Sequence, residues 1–262
     1  MVTAAERGQI EAMLGPLSSE KTLHAVRDGR GRQFQRMEFL GDSVLDVILA
    51  VHVWAEPQCP ACLRREATAA ASDLHLAEAA RRAGLGEWLE WRASDERIAD
   101  LVETCVAACW QSGRWEQAAR FASQVVHPVG DATVLALNLG APHLEAGHLE
   151  AGHLEAGHLE AGHHAPGRVG RRAGSALLEL AAGYGVVHAF PDADEGELST
   201  RRATIHRATV IAVIAKERGL VHRGDPEMML SAVEDQVAAV LAAEGADAAL
   251  LVAQSFVPVH SR

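Results

Sequence analysis

The chain has 262 residues, a formal net charge of −11 with histidine neutral, 48% hydrophobic residues and only 4% aromatic ones. That length leaves room for two domains of ordinary size, each able to bury its own core. The sequence has no charged-then-apolar opening with a small-residue cleavage site and no apolar run of about 18 residues, so neither a secretory signal nor a membrane span is expected and the cytoplasm is the default compartment. A net acidic balance is unusual for a protein that grips a polyanion, so any contact with nucleic acid has to come from local basic patches and from bound metal.

Apolar residues recur at spacings of three and four along the whole chain and alternating strand patterns are essentially missing, which predicts an all-α fold. The first such segment is GQIEAMLGPL, from Gly8 to Leu17. The second, QRMEFLGDSVLDVILAVHVW from Gln35 to Trp54, is a long apolar helix with acids set into it. Leu40, Val44, Val47, Ile48 and Val51 line one side, and Glu38, Asp42 and Asp46, spaced by four, line the other. His52 reads as a core histidine. Cys59-Pro-Ala-Cys62 has the spacing of half a zinc site or of a redox pair, but no second such pair answers it, and a plain turn is the simpler reading. DLHLAEAARRAGL follows, with a helix stop at Gly84.

In ERIADLVETCVAACW, from Glu96 to Trp110, the residues Ile98, Leu101, Val102, Cys105, Val106, Cys109 and Trp110 form a core stripe, leaving Asp100 and Glu103 on the opposite flank. The next helical segment is WEQAARFASQVV. From His143 the chain then runs through four tandem HLEAG units and two further histidines. Five residues turn a helix by about 500°, so successive histidines never share a face, and the repeated glycine weakens helix further. Residues 131–167 are therefore expected to be a flexible linker, with adventitious transition-metal binding as the lesser reading. Beyond it, TVIAVIAKERGL, with a stop at Gly219, and LSAVEDQVAAVLAAEG again carry helical spacing.

Unpartnered ionised carboxylates cost several kcal/mol to bury, so acids on a buried helix belong to a network or a cation site. If the two acid-bearing helices pack side by side, Glu38, Asp42, Asp100 and Glu103 form one cluster of hard oxygen ligands without histidine or cysteine, a set suited to Mg2+ or Mn2+. Glu-Phe-Leu-Gly-Asp-Ser-Val-Leu, followed about 60 residues later by Ala-Asp-x-x-Glu, closely resembles the signature and second acidic motif of the ribonuclease III family. The resemblance implies an all-helical endonuclease that cuts double-stranded RNA with Mg2+ at Glu38, Asp42, Asp100 and Glu103, leaving 5′-phosphate and 3′-hydroxyl ends. Two departures stand out. Gln35 takes a place that is often acidic in the family, and PQCPACLRREA replaces its usual Asp-Glu-Gly-Glu-Leu segment.

The second half resembles a degenerate copy of the first. GRRAGSALLELAAGYGVVHAFPDADEGELSTRRA, from Gly170, has the pattern of a signature helix and its following segment, with Arg171 at the place of Glu38 and Ser175 at that of Asp42. Ala232 and Asp235 are set against Asp100 and Glu103. The expected organisation is a catalytic domain at 1–130, the linker at 131–167 and a degenerate domain at 168–262. Family domains work in pairs, so the halves form either an intramolecular pseudo-dimer or a homodimer through the first domain. The family's Glu in the Gly-Glu-Leu segment, absent from the first half and present as Glu197, favours the pseudo-dimer. Candidate RNA contacts are Arg32, Arg36, Arg64, Arg65, Arg201 and Arg202, in patches that also include Arg27, Arg30, Arg168, Arg171, Arg172 and Arg207. The competing function is a non-catalytic RNA-binding or scaffold protein. The natural RNA substrate is left open.

Overall fold

The structure, a computed structural model, describes residues 2–55, 71–85, 93–112, 115–125, 168–220 and 224–258. Cys59, Cys62, Arg64, Arg65 and the HLEAG tract lie outside these residues, as does the side chain of His52. Among the described residues there is no strand, and eleven α-helices carry the fold: α1 (Ala4–Leu14), α2 (Glu20–Asp28), α3 (Arg32–Ala55), α4 (Asp73–Arg82), α5 (Asp95–Gln111), α6 (Trp115–Val125), α7 (Arg168–Ala189), α8 (Glu195–Ile205), α9 (Ala208–Glu217), α10 (Pro226–Glu244) and α11 (Ala246–Ser255). The all-α expectation therefore holds.

Local signals set the helix ends. Thr3 and Glu6 close a reciprocal capping box at the start of α1, and Ser19, Ser94, Asp194 and Asp225 accept backbone N–H bonds at the starts of α2, α5, α8 and α10. Each such side chain satisfies a donor that the first helical turn leaves open. Gly84 and Gly219, the expected stops, follow α4 and α9 at φ of 78° and 71°, where other residues are strained.

Helices α3 and α7 lie against each other at the centre; α3 also packs on α5, and α7 on α10. Helices α4 and α6 cover α5, while α9 and α11 cover α10. The predicted stripe of α3 is buried as expected, with Leu40, Val44 and Val47 fully enclosed, and Cys105 and Cys109 lie within the core of α5. Aromatic and polar contacts tie the two sets of helices together. Trp110 of α5 meets Tyr184 of α7 edge-on at 5.6 Å, and the indole Nε1 of Trp115 donates to Asp247 Oδ1 at 2.7 Å. Arg36 of α3 donates to the carbonyls of Val187, Phe190 and Pro191, so its guanidinium is fixed at the end of α7 and the turn that follows it.

A glycine sets the crossing of α3 with α5. A Cβ built on Gly41 would lie 1.9 Å from the backbone oxygen of Glu103, so the two helices touch backbone to backbone there. The same contact recurs in the second set: a Cβ on Gly174 would lie 2.1 Å from the backbone oxygen of Glu234. This pairing corrects the register read from sequence. With Gly174 answering Gly41, the residue that answers Glu103 is Glu234 rather than Asp235, and Ser231 rather than Ala232 answers Asp100.

Gly41→Ala is expected to lower stability by about 2 kcal/mol or more, because backbone atoms rather than a flexible side chain would have to move. Gly8→Ala, in a helix with open space around the new methyl, should be neutral or stabilise slightly. Urea unfolding of the two variants checks the pair; equal midpoints would show that the crossing is not as tight as described.

Candidate metal centre

The four acids come from two helices whose approach Gly41 fixes. Glu38 and Asp42 stand one turn apart on α3, and Asp100 and Glu103 one turn apart near the start of α5. One carboxylate oxygen each from Glu38, Asp100 and Glu103 lie within 4.8 Å of one another. Asp42 stands beside this trio. Its Oδ2 is 3.5 Å from Nη1 of Arg202, and its side chain is 49% exposed. Even so, of all neighbouring charges Asp42 is the one that weighs most on Glu103.

Burial and mutual repulsion make this cluster reluctant to ionise. Burial, reinforced by Asp42, Glu38 and Asp100, pushes the Glu103 carboxyl up to about 9. Glu38 is raised to about 8, by burial first and then by Asp100, Glu195 and Asp42. Asp100 is raised to about 6, by burial and then by Glu96. Converging, half-desolvated oxygens that resist carrying their charge together are the donor set of a hard divalent cation, which needs neither thiolate nor imidazole. Deeper along α3, Asp46 is raised to about 6 by burial, with Arg172 and Arg202 opposing the shift.

The second half contributes to this place. Glu195, in the first turn of α8, adds negative charge that both Glu38 and Asp100 feel. Sequence reasoning pointed instead to Glu197, whose carboxylate binds Arg201 at 2.6 Å. The two glutamates are two residues apart and leave a helix on opposite sides, so only one of them can face α3. Where the second half repeats the crossing, the electrostatics differ. Arg171 donates twice to Asp235, at 2.9 and 2.8 Å, and burial raises Glu234 against the opposing effects of a hydrogen bond from Ser175 and the nearby charge of Arg171.

The arginines expected to face RNA divide into two groups. Arg36 and Arg202 are committed to protein acceptors, Arg36 at the end of α7 and Arg202 at Ser43 Oγ (2.8 Å) and Asp42. Both therefore also tie the two halves together. Arg32, paired with Asp192 at 3.2 Å, and Arg201, paired with Glu197, remain at the surface. A cavity of about 520 Å³ opens at the junction of the halves beside Arg36, Trp110, Tyr184, His188 and Asp247, and none of the four acids lines it. No helix of the described residues is long and apolar enough to cross a membrane.

The class the fold and site define is a helical protein that crosses two helices at a glycine and gathers a carboxylate cluster able to hold a cation. Residues 35–114, which hold all four acids, match the family model of the ribonuclease III domain. Ribonuclease 3 of Heliobacterium modesticaldum is 34% identical over 120 residues, covering 40% of this chain and 48% of that protein. Ribonuclease 3 of Symbiobacterium thermophilum is 36% identical over 110 residues, covering 38% and 47%. Dicer-like protein 2 of Coccidioides immitis is 35% identical over 57 residues, covering 20% of this chain and 4% of that one. The chain spans about half the length of the curated bacterial relatives named here.

The raised carboxyls bind protons more tightly folded than unfolded, so their contribution favours the fold at low pH and is lost as pH rises from the ordinary glutamate value of 4.5 to about 9. In EDTA the melting temperature should fall across that window, Glu103→Gln should flatten the fall, and millimolar Mn2+ at pH 8 should restore the wild type but not the variant. A wild-type profile identical to that of Glu103→Gln would contradict the burial assigned to this carboxyl.

Proposed function

We propose that the chain is a divalent-metal-dependent endoribonuclease that cleaves double-stranded RNA at Glu38, Asp42, Asp100 and Glu103. The observation that carries this reading is the convergence of Glu38, Asp100 and Glu103 from two helices, with Asp42 adjacent, inside the segment that matches the ribonuclease III domain. In the same reading, residues 1–130 are the catalytic domain, 131–167 a linker, and 168–262 a non-catalytic domain that pairs with the first inside one chain, in the cytoplasm. The packing of α3 on α7 and the repeated glycine crossing support the pairing, and the Arg171–Asp235 pair supports the absence of chemistry from the second half.

Glu38, Asp100 and Glu103 would hold Mg2+ or Mn2+, with Asp42 as the fourth carboxylate at the edge of the trio. The bound ion supplies activation of a water and neutralisation of charge that builds on the scissile phosphate. The side chains set the conditions for that chemistry. Glu38 and Glu103, raised to about 8 and about 9, must give up their protons as the cation enters, so binding tightens with pH. The burial that raises them also keeps their oxygens from being screened by solvent.

Labelled duplex RNA should be cut with Mg2+ or Mn2+ and left intact in EDTA. Asp42→Asn and Glu103→Gln should each lower the rate roughly a hundredfold or more, about 2.7 kcal/mol of barrier, while leaving the helical circular dichroism unchanged. Full activity in Asp42→Asn would sink the site assignment.

A further inference from the structure

Helix α8 packs on α7 and α3 and carries two charged side chains that bear on the acids. Glu195 and Arg202 are seven residues apart, two turns of helix, so they leave α8 on the same side, about 10 Å apart along its axis. Glu195 lies toward Glu38 and Asp100, and Arg202 reaches Asp42. The guanidinium is held from three directions. Its Nη1 donates to the buried Ser43 Oγ at 2.8 Å and lies 3.5 Å from Asp42 Oδ2, and its Cζ sits 4.6 Å from the centre of the Phe39 ring. Ser43 is 1% exposed and Phe39 5%, so the two groups that fix Arg202 belong to the rigid part of α3.

We propose that Arg202 is a positioning residue for the metal site: reaching over from the second half of the chain, it steadies Asp42 at the edge of the Glu38–Asp100–Glu103 trio and so presents the fourth carboxylate to the cation. The proposal rests on the metal-site reading above. A half-exposed aspartate has freedom about both side-chain torsions, and ordering it costs free energy at each binding event. A guanidinium already locked by Ser43 and Phe39 removes that freedom in advance. With one oxygen on Arg202, Asp42 has its second oxygen left for the ion. Partners of this kind, which orient a ligand without touching the metal, are worth about 10–100-fold in affinity. Helix α8 then gives the second half a concrete task, since the first half alone lacks the group that orders its own fourth acid.

Mn2+ titration of the full chain, read from the electron paramagnetic resonance signal of the free ion, tests this without RNA. Arg202→Met should weaken Mn2+ binding roughly tenfold, and Arg202→Lys should recover part of the loss. Arg120→Met, which breaks a surface pair on α6, should change nothing. In an Asp42→Asn background, Arg202→Met should add no further loss, which a merely structural role would not produce. Arg202→Gln keeps a donor for Ser43 and repeats the test if the methionine variant melts early. Unchanged or tighter binding by a folded Arg202→Met or Arg202→Gln protein, or additive losses in the double variant, would overturn the proposal. Absence of Mn2+ binding by the wild type would overturn the metal-site reading and this inference with it.

Discussion

The backbone contact between Gly41 and Glu103 is the constraint on which the rest depends. A side chain at position 41 would hold α3 and α5 apart; without one, the acids of both helices share a space too small for their charges. Their raised carboxyls measure the electrostatic cost, set first by burial and then by the neighbouring acids. The apolar stripe of α3 and the core of α5 hold the crossing against that repulsion. Protonation relieves it at low pH, and a divalent cation can relieve it at neutral pH.

The second half meets the same crossing with a different electrostatic solution. Gly174 brings α7 against α10 as Gly41 brings α3 against α5, but Arg171 stands on α7 where Glu38 stands on α3. Its guanidinium satisfies Asp235 in two-point contact and opposes the upward shift that burial imposes on Glu234. Packing is retained while the charge pattern is answered internally. The junction between the halves uses different means, with the Trp110–Tyr184 ring contact, the Trp115–Asp247 bond and the carbonyls of α7 gripped by Arg36.

The helices and the acid edge of α3 were legible in the sequence because periodicity reports burial directly: Leu40 and Val44 go inward, and Glu38 and Asp42 cannot follow them. The stops at Gly84 and Gly219 were legible because a positive φ selects glycine. The register of the second half was not. In Ala-Val-Glu-Asp two adjacent acids compete for one place, and only the contact of Gly174 with the Glu234 backbone decides between them. The protein contacts of the arginines were hidden for a related reason. Sequence gives a charge but not its acceptor, and the acceptors of Arg36 and Arg202 lie about 150 residues away along the chain. That Glu195 rather than Glu197 bears on the acids was not legible, because the orientation of α8 is set by its packing on α7 and α3, which no local pattern contains.

We propose one working site per chain, built by two halves that face each other. Its most direct test is a duplex RNA with a different label on each strand, cut under single-turnover conditions while light scattering reports the mass of the protein. The expected result is a monomer that nicks one strand per binding event. Simultaneous cuts in both strands by a two-chain species would contradict it, and would place the working pair between the first halves of two molecules.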